Sequence, residues 1–168
     1  MMGSGKTAVG TALARLLDVP FLDSDAEIEA AANMSIAEIF ERDGEPFFRA
    51  KETQVISRLL AQECGILSTG GGAFLAERNR EIISEKGVAV WLRADVDLLW
   101  NRVRHKSTRP LLRTASPRDT LRDLCTARNP SYAKADLVVD ARPEYSIEDM
   151  ANKVIEALLT RPDVLERQ

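Results

Sequence analysis

Gly3-Ser4-Gly5-Lys6-Thr7-Ala8 is the stretch that decides how this chain is read. Gly5, Lys6 and Thr7 fill the last three positions of the phosphate-binding pattern G-x-x-x-x-G-K-[ST]. In that pattern glycine-rich backbone turns its N–H groups toward phosphates, the Lys bridges the outer phosphates, and the hydroxyl binds Mg²⁺. Lys6 also opens a stretch with helical spacing, Val9, Leu13, Leu16 and Leu17, whose N-terminus favours an anion. The alternative reading is a flexible, glycine-rich tail. The first Gly of the pattern would fall before Met1, and so would the apolar strand that leads into such a loop. The chain is therefore expected to lack its own central strand.

Composition narrows the partners. A chain of 168 residues suits one domain with a real core, and 45% hydrophobic with 29% charged residues is ordinary for a globular protein. A net charge of −3 argues against a nucleic-acid or anionic-membrane partner, which would demand a basic excess. Cys64 and Cys125 have no metal-like spacing and fit a reduced, cytoplasmic setting. No run reaches membrane-spanning length and no leader resembles a signal peptide, so no membrane partner is expected.

Short apolar stretches alternate with helical ones along the chain. Val19 to Leu22 reads as a buried strand running into Asp23-Ser24-Asp25, followed by a helix over Asp25 to Ala32. Ser35 and Glu38 form a capping box, Asp43-Gly44 is a break, and Pro46 starts a longer helix with a stripe of Val55, Leu59 and Leu60. Gly65 to Ser68 predicts a strand ending at Thr69-Gly70-Gly71-Gly72. Glu77 to Glu85 predicts a helix ended by Gly87, and Val88 to Leu92 is the clearest buried strand. Helices follow from Asp95 to Arg104, from a Ser116 cap and Pro117, and from a Ser146/Asp149 cap carrying Ile147, Met150, Val154 and Leu158. Leu137 to Val139 is the last strand, and the tail after Arg161 is expected to fray. This alternation calls for a parallel sheet covered on both faces, with ligands bound at the strands' C-terminal ends.

Polar clusters at those ends carry the chemistry. Asp23 and Asp25 would set two carboxylates near the phosphates, one to hold Mg²⁺ and one to take a proton from an attacking hydroxyl. Taken alone, a helix N-cap explains them better. Gly70-Gly71-Gly72 would let backbone approach a ligand, or would form a loose turn. Arg49, Arg109 and Arg128 suit an anionic substrate if they converge and are otherwise surface charge. Arg49 follows Phe47-Phe48 and has Glu52 one turn on as an orienting carboxylate. His105, the single histidine, reads as exposed, and Trp91 and Trp100 as core.

Six ordered segments, GSGKT, FLDSDAEIE, SIAEIFERDGEPFFR, LSTGGGA, TRPLL and ARNPSY, together resemble the shikimate kinase family from Gly3 to about Leu159. The resemblance implies a three-layer α/β P-loop kinase fold. Its parallel sheet has the order 2-3-1-4-5, here with the first strand missing. It implies one domain over 1–168, with a substrate-binding region at about 25–60 and a lid at about 105–116. The implied reaction moves the γ-phosphoryl of ATP to the 3-hydroxyl of shikimate, in aromatic amino-acid biosynthesis, with Mg²⁺ and in a cytoplasmic monomer.

Residue by residue, the resemblance makes Gly3, Ser4, Gly5, Lys6, Thr7 and Ala8 the nucleotide loop. Thr7 and Asp23 are implied as Mg²⁺ holders, and Asp25 as the candidate base that also binds shikimate hydroxyls. Arg49 and Arg128 clamp the carboxylate beside Gly70, Gly71 and Gly72. Arg109 is the lid arginine and Arg102 lies against adenine. The competing readings are a related small-molecule kinase, such as a gluconate kinase, and a nucleotide-binding remnant without turnover.

Overall fold

The computed structural model describes residues 1–106 and 110–166. The elements in chain order are α1 (Lys6–Leu17), β1 (Phe21–Asp23), α2 (Ser24–Ala32), α3 (Ile36–Asp43), α4 (Glu45–Gln62), β2 (Ile66–Ser68), α5 (Glu77–Lys86), β3 (Val90–Arg93), α6 (Val96–Val103), α7 (Pro117–Tyr132), β4 (Leu137–Asp140) and α8 (Ile147–Leu158), with short 3-10 turns at Ala73–Leu75 and Pro110–Leu112.

Most boundaries follow from local chemistry. Asp23 accepts hydrogen bonds from the amides of Asp25 and Ala26 and starts α2. Ser35/Glu38 and Ser146/Asp149 each complete a reciprocal capping box. Gly44, at φ +84°, separates α3 from α4, and Pro46 sits in the first turn of α4.

All strand pairing seen is parallel. β1 pairs with β2, Phe21 opposite Ile66 through Asp23 opposite Ser68. β3 pairs with β4, Val90 opposite Leu137 through Arg93 opposite Asp140. Among the described residues these pairs form two separate two-stranded sheets. Helices cover both faces. On one side α1 and α8 pack around Val9, Leu13, Met150, Val154 and Val139. On the other, Ile56 of α4, Ile83 of α5, Leu99 of α6 and Leu121 of α7 share a core. A third, smaller cluster of Ile28, Ile39 and Phe48 ties α2, α3 and the start of α4 together.

Between β2 and β3 lies a cavity of about 550 Å³, walled by Val9 and Leu13 of α1, Leu67, Val90 and Trp91. Met1 is buried at its edge, 6% exposed. Burial first, and the nearby Lys6 charge second, pull its α-ammonium down to about 4.

Several sequence expectations need correction. The strand expected over Val88–Leu92 runs from Val90 to Arg93, and Val90, Trp91 and Leu92 are only half-buried because they wall the cavity. β1 starts at Phe21, not Val19, and is likewise half-buried. In α4 the fully covered apolar positions are Phe48, Ile56 and Leu59, while Val55 and Leu60 are half-buried. Ile147 is 53% exposed, because the capping box turns the first helical position outward. Among the described residues the Ser116 side chain makes no capping hydrogen bond; its carbonyl accepts from the amide and hydroxyl of Thr120 instead. From residue 162 to 166 the chain is turned and held, not frayed: Leu165 packs on the α1/α8 core and Arg161 pairs with Asp163, while residues 167 and 168 of the expected frayed tail lie outside the described residues. Among the described residues, no helix is long and apolar enough to cross a membrane.

Candidate active site

The sequence immediately before α1 makes an anion cradle. Gly3 and Gly5 take φ of +75° and +87°, a left-handed backbone that lets successive N–H groups face one way. Among the described residues no side chain caps α1, so its first amides stay available for phosphate oxygens. The Ser4 hydroxyl is buried there without a partner among the described residues. Lys6 Nζ folds back to donate to the Met1 carbonyl at 3.2 Å, and Arg102 Nη1 donates to the Gly3 carbonyl at 3.1 Å. The backbone turn, open helix end and two cations suit a nucleotide's phosphates. Thr7 is exposed at the same end.

Asp23 stands at the tip of β1. Its Oδ1 serves the α2 amides of Asp25 at 2.9 Å and Ala26 at 3.2 Å. Both readings of this residue are thus compatible, since the cap uses one oxygen and leaves Oδ2 for an aquo cation. No group of three or more His, Cys, Asp or Glu that could hold a metal ion occurs among the described residues. A Mg²⁺ held mainly by phosphate oxygens and water, with Thr7 and Asp23 as its few protein contacts, fits that donor set.

Asp25 lies between the two halves of the site. Burial, then the charges of Asp23 and Glu29, raise its carboxyl above the ordinary value, while Lys6 and Arg49 pull the other way. Its Oδ1 is buried with no hydrogen-bond partner among the described residues. A buried carboxylate oxygen with nothing to accept from is expensive, unless a ligand hydroxyl donates to it.

Gly70, Gly71 and Gly72 form the opposite wall, and each faces a different charged residue. A Cβ on Gly70 would lie 2.9 Å from Asp25 Oδ2, one on Gly71 3.2 Å from Arg128 Nη1, and one on Gly72 2.5 Å from Arg49 Nη2. Residues from α2, α4 and α7 thus converge on one turn that only glycine backbone leaves open.

Glu52 holds Arg49 in place. Its carboxylate is 1% exposed and accepts from Arg49 Nη1 at 2.9 Å. Glu45 adds a second, exposed contact at 3.3 Å. Burial raises the Glu52 carboxyl above its usual range against the pull of Arg49. Burial opposes the Arg49 charge too, but its hydrogen bonds to Glu52 and Glu45 outweigh that and raise it. Arg109 lies outside the described residues. Arg113 follows the 3-10 turn in which Leu112 anchors the chain to the core.

A family model for shikimate kinase matches residues 2–159 of the chain. This chain belongs to the shikimate kinase family. It is 68% identical to the shikimate kinase of Cereibacter sphaeroides over 166 residues, covering 99% of this chain and 83% of that protein. It is 69% identical to the shikimate kinase of Ruegeria pomeroyi, covering 99% and 85%. Among solved structures, the shikimate kinase of Acinetobacter baumannii in complex with shikimate superposes with a TM-score of 0.85 at 39% identity, covering 95% of this chain and 89% of that one. Shikimate kinases use ATP to phosphorylate shikimate, on the route to the aromatic amino acids.

Three residues that brace the triple-glycine turn and the Ala73 that follows it escaped the sequence reading. Tyr132 Oη donates to the Gly71 carbonyl at 2.6 Å. Asn79, 1% exposed, donates to the Ala73 carbonyl at 2.9 Å and accepts from the Thr53 hydroxyl at 2.7 Å. Tyr132 closes the ARNPSY segment four residues after Arg128, so its helical spacing was a usable signal. Asn79 and Thr53 are 26 residues apart and carry no local signature of meeting.

Proposed function

We propose that phosphorylation of shikimate in this chain runs across the gap between the α1 loop and the triple-glycine turn, with the 3-hydroxyl as acceptor. Gly3 to Ala8 would bind the phosphates through backbone amides and Lys6 Nζ, with Arg102 against the adenine. Thr7 and, through a water, Asp23 would hold Mg²⁺, whose charge would offset the negative charge that spreads in the transition state. Asp25 would accept a hydrogen bond from the shikimate hydroxyls and align the attacking oxygen. Its raised carboxyl makes it a stronger proton acceptor than an ordinary aspartate. Arg49 and Arg128 would hold the carboxylate from two sides, and Gly70, Gly71 and Gly72 leave room for the ring.

The observation that carries this reading is the convergence of Asp25, Arg128 and Arg49 on three consecutive glycines. One domain spans 1–168, with its substrate region at about 25–60. A lid at about 105–116, of which residues 107–109 lie outside the described residues, would carry Arg109 to the phosphates and shed water that would otherwise take the phosphoryl group. The enzyme works as a cytoplasmic monomer without nucleic-acid or membrane partners.

The test is ADP release from Mg-ATP across a panel of hydroxy acids that includes shikimate and gluconate. Turnover with shikimate alone is expected. Preference for gluconate would overturn the substrate assignment, and ATP binding without turnover on any acid would point to a remnant.

A further inference from the structure

Arg128 and Tyr132 lie four residues apart on α7, so one helical face carries both toward the Gly71 turn. Tyr132 is 5% exposed. Its hydroxyl donates to the Gly71 carbonyl at 2.6 Å, and the Arg128 guanidinium lies close by. A Cβ on Gly71 would meet Arg128 Nη1 at 3.2 Å and Tyr132 Oη at 3.5 Å, so the three groups form one close cluster. On its other side the Tyr132 ring packs on Trp91 of β3, the centroids 6.0 Å apart, which fixes the ring in the core.

A guanidinium on a flexible stem gains a bidentate partner at full strength only when its orientation is set beforehand. Arg49 has Glu52 for that purpose. We propose that Tyr132 does the equivalent for Arg128: it is a positioning residue that locks the guanidinium against Gly71 and so sets the geometry of the carboxylate clamp. This rests on the assignment of Arg49 and Arg128 to the substrate carboxylate. The hydroxyl is suited to the role because, while it donates to Gly71, its oxygen can still accept from a guanidinium N–H. Burial holds the phenol protonated well past neutrality, so the donor to Gly71 is present at working pH. Phenylalanine would keep the ring and its contact with Trp91 and lose the hydroxyl with its hydrogen bond to Gly71.

The test is steady-state kinetics of Tyr132→Phe. The shikimate KM is expected to rise about tenfold, with kcat and the ATP KM within about twofold of the parent. For a competitive inhibitor in which the shikimate carboxylate is replaced by hydroxymethyl, the inhibition constant should move less than about twofold. Tyr145→Phe, which removes the other tyrosine hydroxyl beside the α1/α8 core, serves as the control, expected to leave the shikimate KM alone.

Equal penalties on both substrates, an unchanged shikimate KM, or the same penalty for the carboxyl-free inhibitor would each overturn the proposal. If Tyr132→Phe does not fold, 3-fluorotyrosine incorporated into a Tyr145→Phe background leaves position 132 as the single label, since the chain has two tyrosines. Its ¹⁹F signal should shift with shikimate and stay put with the carboxyl-free analogue; a shift with both, or with neither, would refute the role. A parent enzyme that never turns over shikimate would instead sink the substrate assignment itself.

Discussion

Arg49 lies against Gly72 so closely that a Cβ at position 72 would stand 2.5 Å from Nη2 and 2.8 Å from Nη1. A real side chain there must push the guanidinium off its seat beside Glu52. Gly72→Ala is therefore expected to raise the shikimate KM by about 10- to 100-fold, roughly 1.4–2.8 kcal/mol of lost binding, with the ATP KM unchanged. Separate titration of the two substrates checks this, and equal effects on both would contradict the assignment of Arg49.

Glu52→Gln removes the charge that holds Arg49 while keeping the shape. Because burial outweighs the pull of Arg49 and raises the Glu52 carboxyl, removing its charge should cost little stability at neutral pH. Shikimate affinity should fall, since Arg49 loses the partner that orients it. Chemical denaturation beside kinetics measures the two effects, and an unchanged KM would separate Glu52 from the clamp.

Asp25→Asn should divide function from stability. Turnover is expected to fall about 10²- to 10⁴-fold if Asp25 aligns or deprotonates the hydroxyl. Its folded carboxyl is raised, mainly by burial. The stability it contributes is therefore present below its unfolded value of 3.8 and lost as pH rises through the folded one. At neutral pH the ionised carboxylate destabilises the fold, so the amide should raise Tm. A lower Tm would show that the carboxylate is better paired than its surroundings indicate.

The Asp23 charge is the second cause of the raised Asp25 carboxyl, after burial. Asp23→Asn should accordingly move the acid limb of the kcat/KM profile to lower pH, whatever it does to the amplitude. A limb that stays in place would assign that titration to another group.

Met1 and the cavity beside it make a joint prediction. Its α-ammonium falls from 8.0 to about 4 on folding, so between those pH values unfolding takes up a proton. The 168-residue chain should lose stability as pH drops through that window, by up to about 1.4 kcal/mol per unit. A short apolar strand fused ahead of Met1 would replace the ammonium with an amide and occupy the 550 Å³ between β2 and β3. Tm should rise by about 2–4 °C per kcal/mol gained, and the pH slope should flatten. Thermal melts of both versions from pH 4 to 8 check this; identical melts would mean that the cavity closes by another route.

Where the cause is local, the sequence by itself determined most of the answer, the missing Ser116 cap excepted. Lys6–Leu17 opens at a glycine-lysine loop and keeps its apolar spacing, Ser35/Glu38 and Ser146/Asp149 cap their own helices, and both ends of α1 matched because their signals lie within a turn. The ordered motifs also placed Asp25, Arg49, Gly70–Gly72 and Arg128 on one list. What only the tertiary structure decided is how those residues meet. Gly70 faces Asp25, Gly71 faces Arg128 and Gly72 faces Arg49 because α2, α4 and α7 pack around one turn. Likewise, Tyr132 reaches Gly71 across 61 residues. The half-burial of Val90 to Leu92 belongs here too, since an apolar strand reads the same whether its neighbour is another strand or a cavity. Hydrophobic pattern reports that a residue wants cover; packing of distant segments decides what covers it.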